Sequence, residues 1–293
     1  MIQQLIKLLR PQQWIKNGFV FLPMFFGGMV GSSWCWRQAI IMFFSFSFAA
    51  SAVYCFNDAI DVESDRQHPQ KRFRPIASGA ISIPAAYSIS IICVIASILL
   101  CFLTSIPELP TLVGIICLYL GLNVGYCLKL KQIGIVDVMI VSFGFVLRLA
   151  VGGIACNIIL SPWIISLTFM LALFLAFAKR RDDVSLVNDG KNIMRKSIAN
   201  YSLEFLNQTL GVIAAVTIVS YMMYTVSPDV THRIGSEYVY ITSFYVIAGI
   251  LRYLQLSIVI KKTWSPTKIL LHDRFIQIMI ILWILTFLVL LYV

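Results

Sequence analysis

Apolar runs close to the length of a membrane span recur from one end of this 293-residue chain to the other. Nine can be read, at 17–36, 38–58, 82–104, 109–127, 134–156, 160–178, 205–226, 237–257 and 274–292. A helix needs ~20 such residues to cross the hydrocarbon core. Inside a bilayer no water is present to satisfy backbone amides, so only helices and closed barrels cross it. The runs are continuous rather than alternating, which excludes a barrel. Charged residues make up only 12% of the chain, against about 25% in a soluble domain. The expectation is an all-α membrane protein, with 1–293 forming a single integral membrane domain and no soluble appendage. The first run lacks a small-residue cleavage site and is read as a retained span.

Basic residues orient the bundle. Lys7, Arg10 and Lys16 precede or open the first run. Arg66, Lys71, Arg72 and Arg74 follow the second, and Lys129 and Lys131 the fourth. Lys179, Arg180, Arg181, Lys191, Arg195 and Lys196 follow the sixth. Lys261, Lys262, Lys268 and Arg274 lie between the eighth and the ninth. The opposite loops hold only Arg37 and Arg233. The positive-inside rule then places the amino terminus and the long loops in the cytoplasm. Attraction to anionic headgroups accounts for most of the net charge of +10. The bases form no separate arm, so a nucleic-acid partner is rejected. The seven cysteines form no CxxC pair and nearly all fall within the runs, as small apolar fillers. The three histidines do not cluster, and nothing resembles a zinc site or a Ser-His-Asp arrangement.

The long loops carry the chemistry. Asn57-Asp58-Ala59-Ile60-Asp61-Val62-Glu63-Ser64-Asp65 follows directly on the second run. Spacings of three and four residues put Asp58, Asp61 and Asp65 on one face of a helix. Carboxylates at a helix carboxyl end are disfavoured by the macrodipole, and three together repel one another. A hard cation such as Mg²⁺ would relieve both costs, with Asn57, Asp58, Asp61 and Asp65 as oxygen ligands. The bases Arg66, Lys71, Arg72 and Arg74 come next, in a segment stiffened by Pro69 and Pro75. Positive charge for topology would explain them, but arginine also suits bidentate phosphate contacts. Acids for a metal beside bases for phosphate, at a membrane surface, point to a diphosphate substrate.

The Asn-Asp-x-x-Asp-x-x-x-Asp pattern, followed by Arg74-Pro75 and Gly79, resembles the UbiA superfamily of intramembrane prenyltransferases. That resemblance implies a nine-helix bundle with a Mg²⁺–diphosphate site at its cytoplasmic face. Three stretches are similar to the decaprenyl-phosphate phosphoribosyltransferase branch: Asp65-Arg66-x-His68-Pro69-x-Lys71-Arg72-x-Arg74-Pro75-Ile76-Ala77-x-Gly79, the opening Arg10-Pro11-Gln12-Gln13-Trp14-Ile15-Lys16-Asn17, and Gly144-Phe145-Val146-Leu147-Arg148. The second acidic motif of aromatic prenyltransferases is replaced by Lys179-Arg180-Arg181-Asp182-Asp183, in which no aspartates have the required spacing. The resemblance implies transfer of phosphoribosyl from 5-phosphoribosyl 1-diphosphate to a polyprenyl phosphate, decaprenyl or undecaprenyl, in a bacterial inner membrane. It makes Asp58, Asp61 and Asp65 the catalytic, metal-holding acids.

Candidate phosphate-binding residues are Lys16, Asn17, Arg66, Lys71, Arg72, Arg74, Tyr126, Lys129, Lys179 and Arg180, with Asp137 near enough to touch substrate or order a lysine. Lys16 could equally snorkel beside Trp14 as an interfacial anchor, and Lys129 and Lys131 could be flanking charge. Arg148 lies too deep to pair with Asp137 and is expected to be structural. The alternatives are an aromatic prenyltransferase and an ion-using transporter. The transporter is disfavoured because the charges gather on one face rather than line a path. Homo-oligomers are compatible with the apolar surface.

Overall fold

The computed structural model describes residues 2–104, 106–188, 201–260, 269 and 272–292. The loop bases Lys191, Arg195, Lys196, Lys261, Lys262 and Lys268 lie outside the described residues. Two compact units divide the chain, 1–160 and 161–293.

Unit 1 opens with α1 (Ile2–Leu9), a 3-10 helix (Pro11–Phe21) and α2 (Leu22–Phe26). It continues through α3 (Ser33–Ile60), the short α4 (Val62–Gln67), α5 (Ile83–Cys101), α6 (Leu109–Leu128) and α7 (Val136–Ala155). Unit 2 contains α8 (Pro162–Asn188), α9 (Leu203–Thr225), α10 (Pro228–Ile234), α11 (Thr242–Leu254) and α12 (Arg274–Tyr292). In unit 2, α8 packs on α9, and α11 packs on both α9 and α12.

Among the described residues, eight helices are long and apolar enough to cross a membrane, and they overlie eight of the nine runs; α8 extends past the sixth run to Asn188, so Lys179, Arg180, Arg181, Asp182 and Asp183 lie on α8 and not in a loop. The exception is 17–36, which is not one long helix. Pro11 opens a 3-10 helix there, Pro23 sits at the start of α2, and Gly28 takes φ +70° after it. Proline supplies no N–H and glycine alone adopts positive φ without strain, so the α-helix cannot run through. A 3-10 helix rises ~2.0 Å per residue, so its eleven residues reach further across the bilayer than the same number in an α-helix.

α3 is the axis of unit 1. It begins where the Ser32 hydroxyl accepts the Cys35 N–H at 3.3 Å, and it packs against α5, α6, α7 and the 3-10 helix. Its inner side chains Met42, Phe46, Ala49 and Val53 meet Val20, Leu112, Ile116, Tyr119, Leu147 and Val151 in a core cluster. At its far end Leu8, Cys55, Ala59, Val62, Ile76 and Ala86 form a second cluster. This one fastens α1 and the basic loop over the acidic residues. The outward faces stay apolar: Ile91, Ile92, Ile95 and Leu99 are all exposed on α5. Such a surface would be a liability in water and is the expected solvent face in lipid. The chain is a multi-pass membrane protein.

α7 approaches the 3-10 helix at Gly152, where an added Cβ would overlap the Val20 carbonyl. Backbone cannot yield as a flexible side chain can. Gly152→Ala is therefore expected to lower stability by about 1–3 kcal/mol. Gly114→Ala on α6, where nothing lies within 4 Å, is expected to be neutral or stabilising. Thermal unfolding of both variants in detergent checks the pair, and equal melting points would contradict the close approach.

Candidate active site

The acidic stretch does not continue α3. The helix ends at Ile60, and Asp61 is a turn residue (φ −86°, ψ 10°) before α4 begins at Val62. The three carboxylates therefore do not share one unbroken helix face as their spacing predicts. Asp58 and Asp65 turn inward, each 2% exposed, whereas the Asp61 side chain is 27% exposed. The break has a physical reason. A straight helix would stack the three charges at its negative end, and a turn at Asp61 lets each one meet a different base.

Arg10 reaches Asp58 with its Nη2, at 2.6 Å from Oδ1 and 2.5 Å from Oδ2. Nη1 of Arg74 donates to Asp58 Oδ1 at 3.0 Å and to Asp65 Oδ2 at 2.7 Å. Lys71 Nζ stands 3.9 Å from Asp65 Oδ1. Lys131 Nζ lies 2.5 Å from Asp61 Oδ1. Four bases thus serve three acids, leaving one positive charge in excess. The sequence places Arg10 in the branch-like opening stretch and Lys131 among the basic residues after the fourth run, but it does not pair either with an acid: Arg10 lies 48 positions from its partner and Lys131 lies 70. Arg10 does carry a local signature. It adopts φ +53° immediately before Pro11, a left-handed conformation that a non-glycine residue holds only when its surroundings over-determine it. Here the contact of Nη2 with both Asp58 oxygens and the Tyr54 ring, 5.0 Å from the guanidinium, do so.

The loop after α4 is built to present Arg74. His68 Nδ1 accepts the backbone N–H groups of Gln70 and Lys71 at 3.1 and 3.3 Å. Burial, then the nearby Lys71 charge, lowers its pKa below the usual 6.5, with Asp65 opposing and Arg74 adding to the fall. The imidazole therefore stays neutral at pH 7 and keeps its acceptor lone pair. The loop closes through Ser78 N–H to the Arg74 carbonyl at 2.9 Å, Ile81 N–H to the Pro75 carbonyl at 3.0 Å, and Gly79 at φ +79°.

Other expected site residues are placed differently. Asn57 is half-buried, and its carbonyl accepts the Asp61 N–H at 2.9 Å. Arg66 faces outward, paired with Glu63 at 3.0 Å and touching the Ala77 carbonyl at 3.4 Å. Arg72 is exposed over the Phe73 ring. Lys129 is exposed at the end of α6, while Tyr126 is half-buried against the main core. Lys16 is half-buried. Asn17 is fully buried; its amide donates to Ser47 at 2.9 Å and its carbonyl accepts from Arg148 at 2.7 Å. Asp137 is fully buried in the first turn of α7, where it accepts the Val138 N–H at 2.8 Å. In unit 2, Asp183 lies 3.6 Å from Lys179 Nζ and 3.2 Å from Arg180 Nη1. Arg181 donates to Asn207 at 2.7 Å and lies 3.8 Å from the buried Asp182.

Among the described residues no three acidic, histidine or cysteine side chains converge as a ready metal cage. The donor chemistry nevertheless fits a hard cation. Two buried carboxylates, Asp58 and Asp65, converge on a single guanidinium nitrogen, so a small positive centre can bridge them.

The comparisons with known proteins point one way. The UbiA prenyltransferase family profile matches residues 19–262. A decaprenyl-phosphate phosphoribosyltransferase of Corynebacterium glutamicum is 32% identical over 96% of this chain and 84% of its own. One from Mycobacterium tuberculosis is 31% identical over 98% of this chain and 93% of its own. A UbiA homolog from Archaeoglobus fulgidus, solved bound to GPP and Mg²⁺, shares the fold. Its TM-score is 0.71 over 99% of this chain and 100% of that one, at 18% identity. The opening arginine, the broken acidic helix and the proline-bounded basic loop thus sit in a fold with a known lineage: this chain belongs to the UbiA prenyltransferase family.

Proposed function

We infer that this protein is a polyprenyl-phosphate phosphoribosyltransferase of a bacterial inner membrane, with its amino terminus in the cytoplasm. It takes phosphoribosyl from 5-phosphoribosyl 1-diphosphate to a polyprenyl phosphate and releases diphosphate. The observation that carries this reading is the similarity, along almost the whole chain, to proteins named for that activity on decaprenyl phosphate. The excess of bases over acids around Asp58 and Asp65 agrees with a substrate that brings several negative charges.

Mg²⁺, when bound, would neutralise charge on the leaving diphosphate. Asp58 and Asp65 are the residues that would hold it, with Asp61 and Asn57 beside them. Arg10, Lys71, Arg74 and Lys131 now neutralise those carboxylates. They are also the cations within reach when diphosphate oxygens arrive, and Arg74 can grip two oxygens at once. Lys179 and Arg180 of unit 2, and Lys16, remain candidates for phosphate. The anomeric carbon becomes electron-poor as its bond to diphosphate lengthens. The lipid phosphate is already an anion, so it attacks from the opposite side without a general base. Fixed cations aimed at the leaving group account for most of the rate enhancement in such a site.

Labelled phosphoribosyl diphosphate incubated with purified protein, a polyprenyl phosphate and Mg²⁺ is expected to place label in the lipid phase. A chelator should abolish the transfer. A folded protein that leaves all label in the aqueous phase, across several acceptor lengths, would overturn the assignment in favour of prenyl transfer. Asp58→Asn and Asp65→Asn are each expected to reduce the rate at least ~100-fold. Inorganic diphosphate with Mg²⁺ should raise the melting temperature of the wild type, reaching ~2.7 kcal/mol of added stability at a hundredfold excess over Kd. In Asp58→Asn that protection should be lost, and its persistence would show that the ligand sits elsewhere.

A further inference from the structure

Among the described residues of unit 1, Arg148 is a buried base that the acidic side chains do not claim. It is 6% exposed on α7. Among the described residues no carboxylate pairs with it. Its Nε donates to Asn17 Oδ1 at 2.7 Å, Nη1 to the Gly144 carbonyl at 2.7 Å, and Nη2 to the Tyr119 hydroxyl at 3.3 Å. The rings of Phe46, Tyr119 and Phe145 surround the guanidinium at 4.8, 5.1 and 5.2 Å. Every one of these partners is a dipole or a π face. They soften the cost of burying the cation and leave its unit charge uncompensated in a low-dielectric interior. Ionisable groups at membrane depth are expensive, and that cost is recovered when an anion joins them. A guanidinium has five N–H donors, and three contacts leave others to give.

The local geometry aims this charge. By bonding the carbonyl four residues earlier, the side chain reaches back toward the amino-terminal end of α7. That end lies beside the acidic site, because Lys131, just before α7, touches Asp61. Gly144 makes the room: a Cβ there would stand 3.3 Å from Nη1. The 3-10 helix runs down α3 from one site to the other. Its rungs are Arg10 on Asp58, Trp14 on Ser51 at 3.0 Å and Asn17 on Ser47 at 2.9 Å. Eleven α3 positions separate the first rung from the last, about 16 Å at 1.5 Å per residue. Arg148 keeps some exposed surface where Asn17 and Phe46 beside it keep none.

We propose that Arg148 anchors a second anion-binding position in unit 1, on the order of 15 Å along α3 from the acidic site, and that its ligand is a phosphate monoester. This rests on the phosphoribosyltransferase reading, in which both substrates carry such a group: the donor on its ribose, the acceptor on its lipid. The position separates the two phosphate chemistries of the reaction. The diphosphate belongs to the acids and their bases, and the monoester belongs to Arg148.

The test compares wild type with Arg148→Met and Arg148→Lys in the transfer assay, with the KM of donor and acceptor measured separately. The expected result is a rise of tenfold or more in the KM of one substrate, with the other within threefold and partial recovery in the lysine variant. A raised donor KM assigns the ribose phosphate, and a raised acceptor KM the lipid phosphate. The melting temperature of Arg148→Met should change little, because losing an uncompensated buried charge offsets the hydrogen bonds lost to Asn17, Gly144 and Tyr119. Unchanged KM values, or a large fall in melting temperature with both KM values intact, would make Arg148 a structural clamp and overturn the proposal. If Arg148→Met does not fold, the lysine variant decides by the same selective KM. Thermal protection by ribose 5-phosphate and by a polyprenyl phosphate, each added alone, reads the position without any turnover. Protection present in wild type and absent from both variants supports it even if transfer to lipid fails, which would count against the reaction assigned and not against the site.

Discussion

The ion pair between Arg10 and Asp58 is the interaction on which unit 1 is organised. Asp58 is a carboxylate buried near the end of a membrane helix, and a lone charge there would be intolerable. Meeting that demand requires the chain to double back. α1 must end, Arg10 must turn through a left-handed conformation, and the 3-10 helix must descend along α3. Arg74 adds the second constraint by joining Asp58 to Asp65 through one nitrogen. The second core cluster, with Leu8 from α1 and Ile76 from the basic loop, holds both arginines in position from behind. Packing and electrostatics thus support the same geometry. Removing either arginine would leave Asp58 held by the other alone, a destabilising loss for a buried carboxylate.

A site of this kind is poised rather than finished. Each acid is neutralised by a flexible base, so the fold is stable with no ligand. The same bases are matched to phosphate oxygens. Under the proposed function, an arriving metal and diphosphate would take over these charge partners without exposing bare charge to the apolar interior. Arg148 differs in kind, because its partners are neutral and nothing within its unit can be exchanged.

Much of this was legible in the sequence. Continuous apolar runs located eight helices, since the bilayer sets their length, but not the extension of α8 through its charged stretch to Asn188. Asp58, Asp65 and Arg74 could be named because they lie within seventeen positions of one another, with Pro75 directly after Arg74. Three things were hidden for physical reasons. The 3-10 geometry of the first run depends on how closely Gly152 of α7 lets the Val20 backbone approach, and hydropathy does not register that. The turn at Asp61 reflects charge repulsion relieved by Lys131, seventy positions away. The roles of Arg10, Asn17 and Arg148 depend on pairings between distant segments, so a topological signal and an interfacial anchor were as good an account of the first two.

The central claim is that Asp58 and Asp65 exchange Arg10 and Arg74 for a divalent cation and its diphosphate. A structure determined with Mn²⁺ and phosphoribosyl diphosphate, with the metal located by anomalous scattering, tests it most directly. The account predicts Mn²⁺ coordinated by Asp58 and Asp65, with Arg10 and Arg74 turned onto phosphate oxygens. Mn²⁺ bound away from these two carboxylates, or both arginine pairs intact beside bound substrate, would contradict it.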